Sequence, residues 1–181
     1  MNNRDLEQTW KYHNATKHSR ESIRADPHFL DWENQPFPFK VYPDLKPIPL
    51  PTEVPAPQGE ALATLSADAT EPAGPCIPGL GVLGHLFLLS AGITKKFTYP
   101  GSGEMYYRAA ACTGALYHID LYLVCGDLPG LEAGVYHFGP HDFSLRGLRR
   151  GDHRPRLIRA SGGEPSVRRS PAVLVSATTY W

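Results

Sequence analysis

Cysteine is scarce in this chain. Cys76, Cys112 and Cys125 are the only three in 181 residues; they are odd in number and lack C-x-x-C spacing. That argues against a disulfide framework and fits a reducing cytosol. An excess of either charge is also missing, since 18 basic residues balance 18 acidic ones and the pI is near 7.1. Neither a nucleic-acid footprint nor an anionic membrane partner is indicated. No apolar run approaches the ~20 residues of a membrane span; the longest, Val82–Ala91, is interrupted by Gly84 and His85. The opening MNNRDLEQTWKYH is polar and carries no secretory pattern. The sequon Asn14-Ala15-Thr16 is therefore read as incidental.

What the chain has in quantity is proline. Between Pro36 and Pro57 it places eight prolines in 22 residues, which excludes a regular helix or a central strand. This stretch reads as an extended, polyproline-like arm crossing a surface, outside the core. Ahead of it, a short helix is expected near Leu6–Lys17, followed by a loop; Trp10, Tyr12 and Trp32 read as anchors pinning the arm to the body. Ala61–Cys76 is small and acidic, a linker or weak helix. Three segments follow: an arm with its Pro-rich linker over 1–60, a linker over 61–78, and a folded domain over 79–181.

Regular structure begins at Val82–Gly92, where apolar residues recur at helical spacing and Gly92 suits a C-terminal cap. His118–Val124 alternates as a strand should. Gly126–Gly134 is turn-rich, Val135–Phe138 a short strand, Pro140-His141-Asp142 a turn, and Phe143–Leu148 a strand or short helix. Arg149–Arg169 is basic and loop-like, with Arg156–Ala160 structured. Ala172–Thr179 (AVLVSATT) is β-prone and reads as a buried central strand.

The most informative segment is Tyr107–Cys125, YRAAACTGALYHIDLYLVC. A turn of small residues, Ala109 to Ala115 with Gly114 inside it, lets backbone groups come close to a flat ligand. Arg108, then Ala111-Cys112-Thr113-Gly114-Ala115-Leu116-Tyr117-His118, resembles the flavin-contacting turn of the nitroreductase superfamily, most nearly the R-x-x-P-S-A-G-A-L-Y-P motif of SagB-type dehydrogenases. Leu88–Gly92 with Ile93-Thr94 is similar to the family's L-L-x-x-x-x-G-I-T segment, and Leu131–Phe138 to its L-x-x-G-x-Y-x-Y element. Tyr12–Pro51 resembles the leader of the longer members.

The resemblance implies an α+β fold: an antiparallel sheet flanked by helices, incomplete at its C-terminus and preceded by the arm. A family domain continues past this point, so the chain is expected to be a fragment lacking about the last third of such a domain. FMN is the implied cofactor, with NAD(P)H as reductant in a ping-pong cycle and a small molecule or modified peptide as substrate. Flavins perform the hydride or electron transfer, while the protein positions and tunes the ring. By the resemblance, Cys112, Thr113, Gly114 and Ala115 would lie along the flavin edge. Arg108 would supply positive charge to the phosphate or reduced ring, and Leu116 and Tyr117 would support the turn from the core side. No catalytic side chain is assigned. The implied assembly is a homodimer, or a pseudo-dimer with a second nitroreductase-like domain.

The chain departs from the family pattern in specific places. No R-R-S-x-R element precedes Val82, and Lys95 and Lys96 are the candidate substitutes for its phosphate-holding arginines. Ala111 and Cys112 replace the motif's Pro and Ser, and Ala115 stands where many relatives have Asn. A non-catalytic lobe that scaffolds a partner domain is thus the alternative, and a module presenting its Pro-rich arm to a partner is a third reading.

Four other patterns carry less. Gly79-Leu80-Gly81-Val82-Leu83-Gly84 is a literal G-x-G-x-x-G, but Glu71–Pro78 supplies no strand before it, so its glycines open a helix after a loop. His137 and His141, at i, i+4, straddle Gly139-Pro140 and read as a turn rather than a metal site. Cys112 could be a nucleophile with His118 as base, yet strand alternation is expected to separate them. The basic run Arg146–Arg159 contains Asp152 and no aromatic platform, and reads as a solvated loop.

Overall fold

The computed structural model describes residues 5–25, 27, 29, 37–53, 60–66, 77–100 and 103–178. The chain divides into two compact units, residues 1–36 with 181, and residues 37–180.

In the first unit, α1 spans Leu6–Thr16, with the Asp5 carboxylate accepting the Gln8 N–H (3.0 Å) as its N-cap. A second helix, α2 (Arg20–Ala25), occupies the stretch expected to be loop. Its start is a reciprocal cap: the Ser19 N–H donates to Ser22 Oγ (2.8 Å) and the Ser22 N–H to Ser19 Oγ (3.0 Å). Trp10 and Tyr12, expected as anchors, are 62% and 72% exposed. Trp32 lies outside the described residues.

The second unit is built on a five-stranded antiparallel sheet in the order β1-β6-β5-β4-β7. Its strands are β1 (Pro47–Pro49), β4 (Ile119–Cys125), β5 (Gly134–Gly139), β6 (Ser144–Arg150) and β7 (Ala172–Thr178). A separate hairpin pairs β2 (Ile93–Tyr99) with β3 (Gly103–Arg108). Helices α3 (Ala61–Ser66), α4 (Leu80–Ala91), α5 (Arg154–Ala160) and α6 (Pro165–Arg169) complete the unit.

Strand alternation gives the sheet two unlike faces. One carries Leu123, Cys125, Tyr136, Phe138 and Leu145 into the core with Leu83 and Phe87 of α4; Phe87 and Phe138 stack at 4.4 Å. The opposite face presents a register row, Tyr122, His137 and Arg146. α4 can lie close because Gly84 has no side chain: a Cβ there would come within 2.4 Å of the Pro51 carbonyl oxygen. Gly84→Ala gains about 1 kcal/mol in helix propensity but incurs an overpacking cost of about 1–3 kcal/mol. We expect a net loss, read as a lower urea midpoint; a raised midpoint would refute the close contact.

Several expectations are corrected. The Pro-rich arm is not wholly outside the core: Pro47–Pro49 forms β1, and Leu50 is buried in the hydrophobic cluster. Proline is compatible with β1 because that strand lies at the edge. The run at Ala172 is not a buried central strand. Among the described residues β7 pairs only with β4, and Leu174 and residues 176–178 are exposed. An apolar β-branched run has the same pattern whether it has one neighbour or two. Arg149–Arg169 is not a loop, since β6 runs to Arg150 and α5 and α6 follow. Their starts are marked by Pro155 and Pro165.

Candidate flavin-contacting turn

β3 ends at Arg108, and the chain is then tied to the end of α4. The Ala109 N–H donates to the Gly92 carbonyl (2.9 Å) and the Ala110 N–H to the Ser90 carbonyl (3.1 Å). Gly92 caps α4 in extended backbone (φ −65°) and not in the left-handed region; a Cβ there would crowd the Leu88 carbonyl at 2.7 Å.

Beyond an extended Cys112, residues Thr113–Ala115 form one 3-10 turn. Gly114 (φ 66°), Ala115 (φ 53°) and Tyr117 (φ 45°) all have left-handed backbone. For the two non-glycine residues this conformation is uncommon and costs energy, and such strain clusters at functional sites. Three bonds hold it. The Ala115 N–H donates to the Cys112 carbonyl (3.1 Å), the Tyr117 N–H to Cys112 Sγ (3.2 Å), and the Arg108 N–H to the Tyr117 hydroxyl (2.9 Å). The outer surface is open: Gly114 is exposed, and among the described residues a Cβ on it would meet only the Leu116 side chain, at 3.6 Å.

The expected site residues thus fall into two places. Cys112, Thr113, Gly114 and Ala115 share the turn. Arg108 lies behind it, 9% exposed, with its guanidinium 5.0 Å from the Tyr117 ring and 5.5 Å from that of Phe39, and Nη2 donating to the Pro38 carbonyl (3.0 Å). Burial pushes its pKa down, and the nearby Asp120, Tyr117 and Cys112 act in the opposite sense. Tyr117 supports the turn as expected, but Leu116 does not face the core; it is 47% exposed. Lys96 is engaged by Glu104 (2.6 Å), whereas Lys95 lies 6.0 Å from the centre of the Phe97 ring.

The expected separation of Cys112 and His118 is also corrected. Alternation applies within a strand, but Cys112 precedes the turn, and the left-handed residues bring its Sγ to 3.9 Å from His118 Nδ1. Among the described residues no group of three or more His, Cys, Asp or Glu side chains has the geometry of a metal site, and no helix is long and apolar enough to cross a membrane.

Sequence reading missed the contribution of the arm. Phe39 packs edge-on to Tyr106 (5.0 Å), and Tyr42 packs on His137 (5.0 Å). Lys40 lies 5.7 Å from the centre of the Tyr122 ring, and its pKa is raised, first by hydrogen bonding to Tyr122. The dense aromatics between Phe37 and Tyr42 were the available signal.

The antiparallel sheet flanked by helices, with this turn leading into β4, defines a nitroreductase-like α+β fold. A crystal structure of a "putative nitroreductase" from Anabaena variabilis ATCC 29413 matches it with a TM-score of 0.70 and 26% identity, over 93% of this chain and 31% of that one. The chain spans about a third of that neighbour's length. The likeness supports a place in the nitroreductase-like superfamily. No family model and no curated protein matches the chain.

Proposed function

We propose that this chain is part of an FMN-dependent oxidoreductase of the SagB-type branch, with the flavin lying against the backbone of Cys112–Ala115. The observation that carries the reading is the strained, open turn at Gly114 in a nitroreductase-like fold. An isoalloxazine is flat and needs backbone at contact distance, and a left-handed glycine with no side chain over it supplies that approach.

The residues present suit the ring better than the phosphate. Arg108 is covered and Lys96 is paired, so the phosphate would be held by groups outside the turn. When bound, FMN would supply the hydride or electron transfer, with a nicotinamide cofactor as reductant and a small molecule or modified peptide as substrate. This chain's own part is to orient the ring edge through the turn and to keep the turn rigid through Tyr117. In this reading residues 1–60 form an arm and linker that adds β1 to the sheet, 61–78 a linker containing α3, and 79–181 the body of one lobe that pairs with a second copy or a similar domain.

Titration of FMN with the purified chain tests the proposal. Quenched flavin fluorescence and a protein-bound visible spectrum are expected. Gly114→Val should abolish the quenching, because a β-branched residue in left-handed backbone costs about 1–3 kcal/mol and its side chain stands over the turn. No quenching by the wild-type chain would leave the scaffold reading in its place.

A further inference from the structure

Residues Pro38–Tyr42 form a strap that runs between Arg108, at the end of the β2-β3 hairpin, and the polar face of the sheet, seated at three points. Pro38 and Phe39 meet Arg108; Lys40 meets Tyr122; Tyr42 meets His137. Phe39 also lies 5.7 Å from the His141 ring.

Arg108 contacts both this strap and the turn. Its side chain lies between Phe39 and Tyr117, while its backbone N–H holds the Tyr117 hydroxyl. A guanidinium suits the position because it can offer a planar face to each ring and still donate from its edge. With those faces covered, it is poorly placed to reach a ligand's phosphate directly.

The seat also carries a cost. Arg108 Nε and both ring nitrogens of His137 are buried without a hydrogen-bond partner among the described residues; Asp120 Oδ1 is 3.9 Å from His137 Nε2, beyond hydrogen-bonding distance. Unmet buried donors oppose burial, so ring contacts and charge-assisted bonds are offset by groups that gain partners when the strap lifts.

We propose that Arg108 is a positioning residue that couples the seating of strap residues Pro38–Phe39 to the conformation of the turn at Tyr117. A ligand that favours the formed turn then favours the seated strap, and by linkage a loosened strap weakens that ligand by the same factor. The ligand part of this inference rests on the flavin reading; the strap part does not.

Tryptic cleavage at Lys40–Val41, followed by mass spectrometry on the full chain, reads how often the strap lifts. Arg108→Ala and Phe39→Ala should each raise that cleavage roughly tenfold, the scale of losing one cation–π contact with a charge-assisted bond. Phe39→Tyr should restore protection. Phe39→Ala changes no residue of β3 or the turn, so it decides the matter if Arg108→Ala fails to fold. Unchanged cleavage in Phe39→Ala overturns the strap. In the second arm, saturating FMN should slow cleavage of the wild-type strap, and that slowing should be lost in Phe39→Ala, whose strap no longer packs on Arg108. If FMN quenches but slows cleavage equally in wild type and Phe39→Ala, or slows it in neither, the coupling is refuted. A wild-type chain that never quenches FMN refutes the flavin reading and the ligand half of the inference, while the cleavage result still decides the strap.

Discussion

Phe87→Ala should destabilise the second unit by about 3–5 kcal/mol, the range for deleting a buried aromatic ring. Phe87 is fully buried and stacks on Phe138 with the rings inclined by only 17°. The helix has little freedom to close the resulting cavity, because Gly84 already sits against the Pro51 carbonyl. The cost should therefore fall toward the upper part of the range, where cavities stay open. Domains of this size hold about 5–15 kcal/mol in all, so the variant should be marginal at room temperature. Urea unfolding is the measurement, and the midpoint should fall with its slope unchanged. A loss below about 1 kcal/mol would mean that α4 does not pack on the sheet as described. Phe87→Leu, which keeps most of the apolar volume, should lose clearly less.

The parts of the fold that were legible in the sequence are those with local signatures. α4 carried apolar residues at helical spacing and ended on Gly92; β4 carried alternating residues, and β5 was a short strand set off by turn-rich connections. What escaped depended on partners distant in sequence. Whether Val173–Val175 lies at the centre of a sheet or at its edge is decided by neighbours, not by its own residues. The hairpin of β2 and β3 was not assigned at all, for Lys95, Lys96 and Glu104 dilute its alternation.

The site divides in the same way. Small residues around Gly114 announced an open turn, and the turn is there, with left-handed backbone at Ala115 and Tyr117 that no local propensity would suggest. Arg108 was visible as a charge, but its surroundings were not, because Phe39 is 69 positions away and approaches only through the folded arm. Cys112 and His118 were placed apart by extending strand alternation through a turn that breaks it.

On the polar face the second large effect is expected at Asp142. Arg146 is nearly buried, its side chain 8% exposed, and its guanidinium donates to both Asp142 carboxylate oxygens and to Ser144 Oγ (2.8 Å). Ser144 Oγ in turn donates to Asp142 Oδ1 (2.7 Å). Asp142→Ala removes the only acidic partner the guanidinium bonds to among the described residues, leaving a charge in a site that water reaches poorly. Breaking a fully buried pair costs about 3–5 kcal/mol. The Asp142 side chain is 32% exposed, so water screens part of that, and about 2–3 kcal/mol is expected. The same pair gives stability a sign in pH. Burial alone would raise the Asp142 pKa, but hydrogen bonds from Arg146 and Ser144, with the nearby His141 and Arg146 charges, outweigh it and hold the pKa below the ordinary 3.8. The unfolded chain therefore takes up this proton first as the pH falls. The contribution is fully present above pH 3.8 and is lost as pH drops from there through the folded-state value. Asp152, held low by Arg154, adds a loss over a similar window, so wild type alone does not isolate the pair. The difference between wild type and Asp142→Asn does: it should be largest above pH 4 and shrink toward zero in stronger acid. A difference that stays constant across that range would show that the charge on Asp142 contributes nothing to the fold.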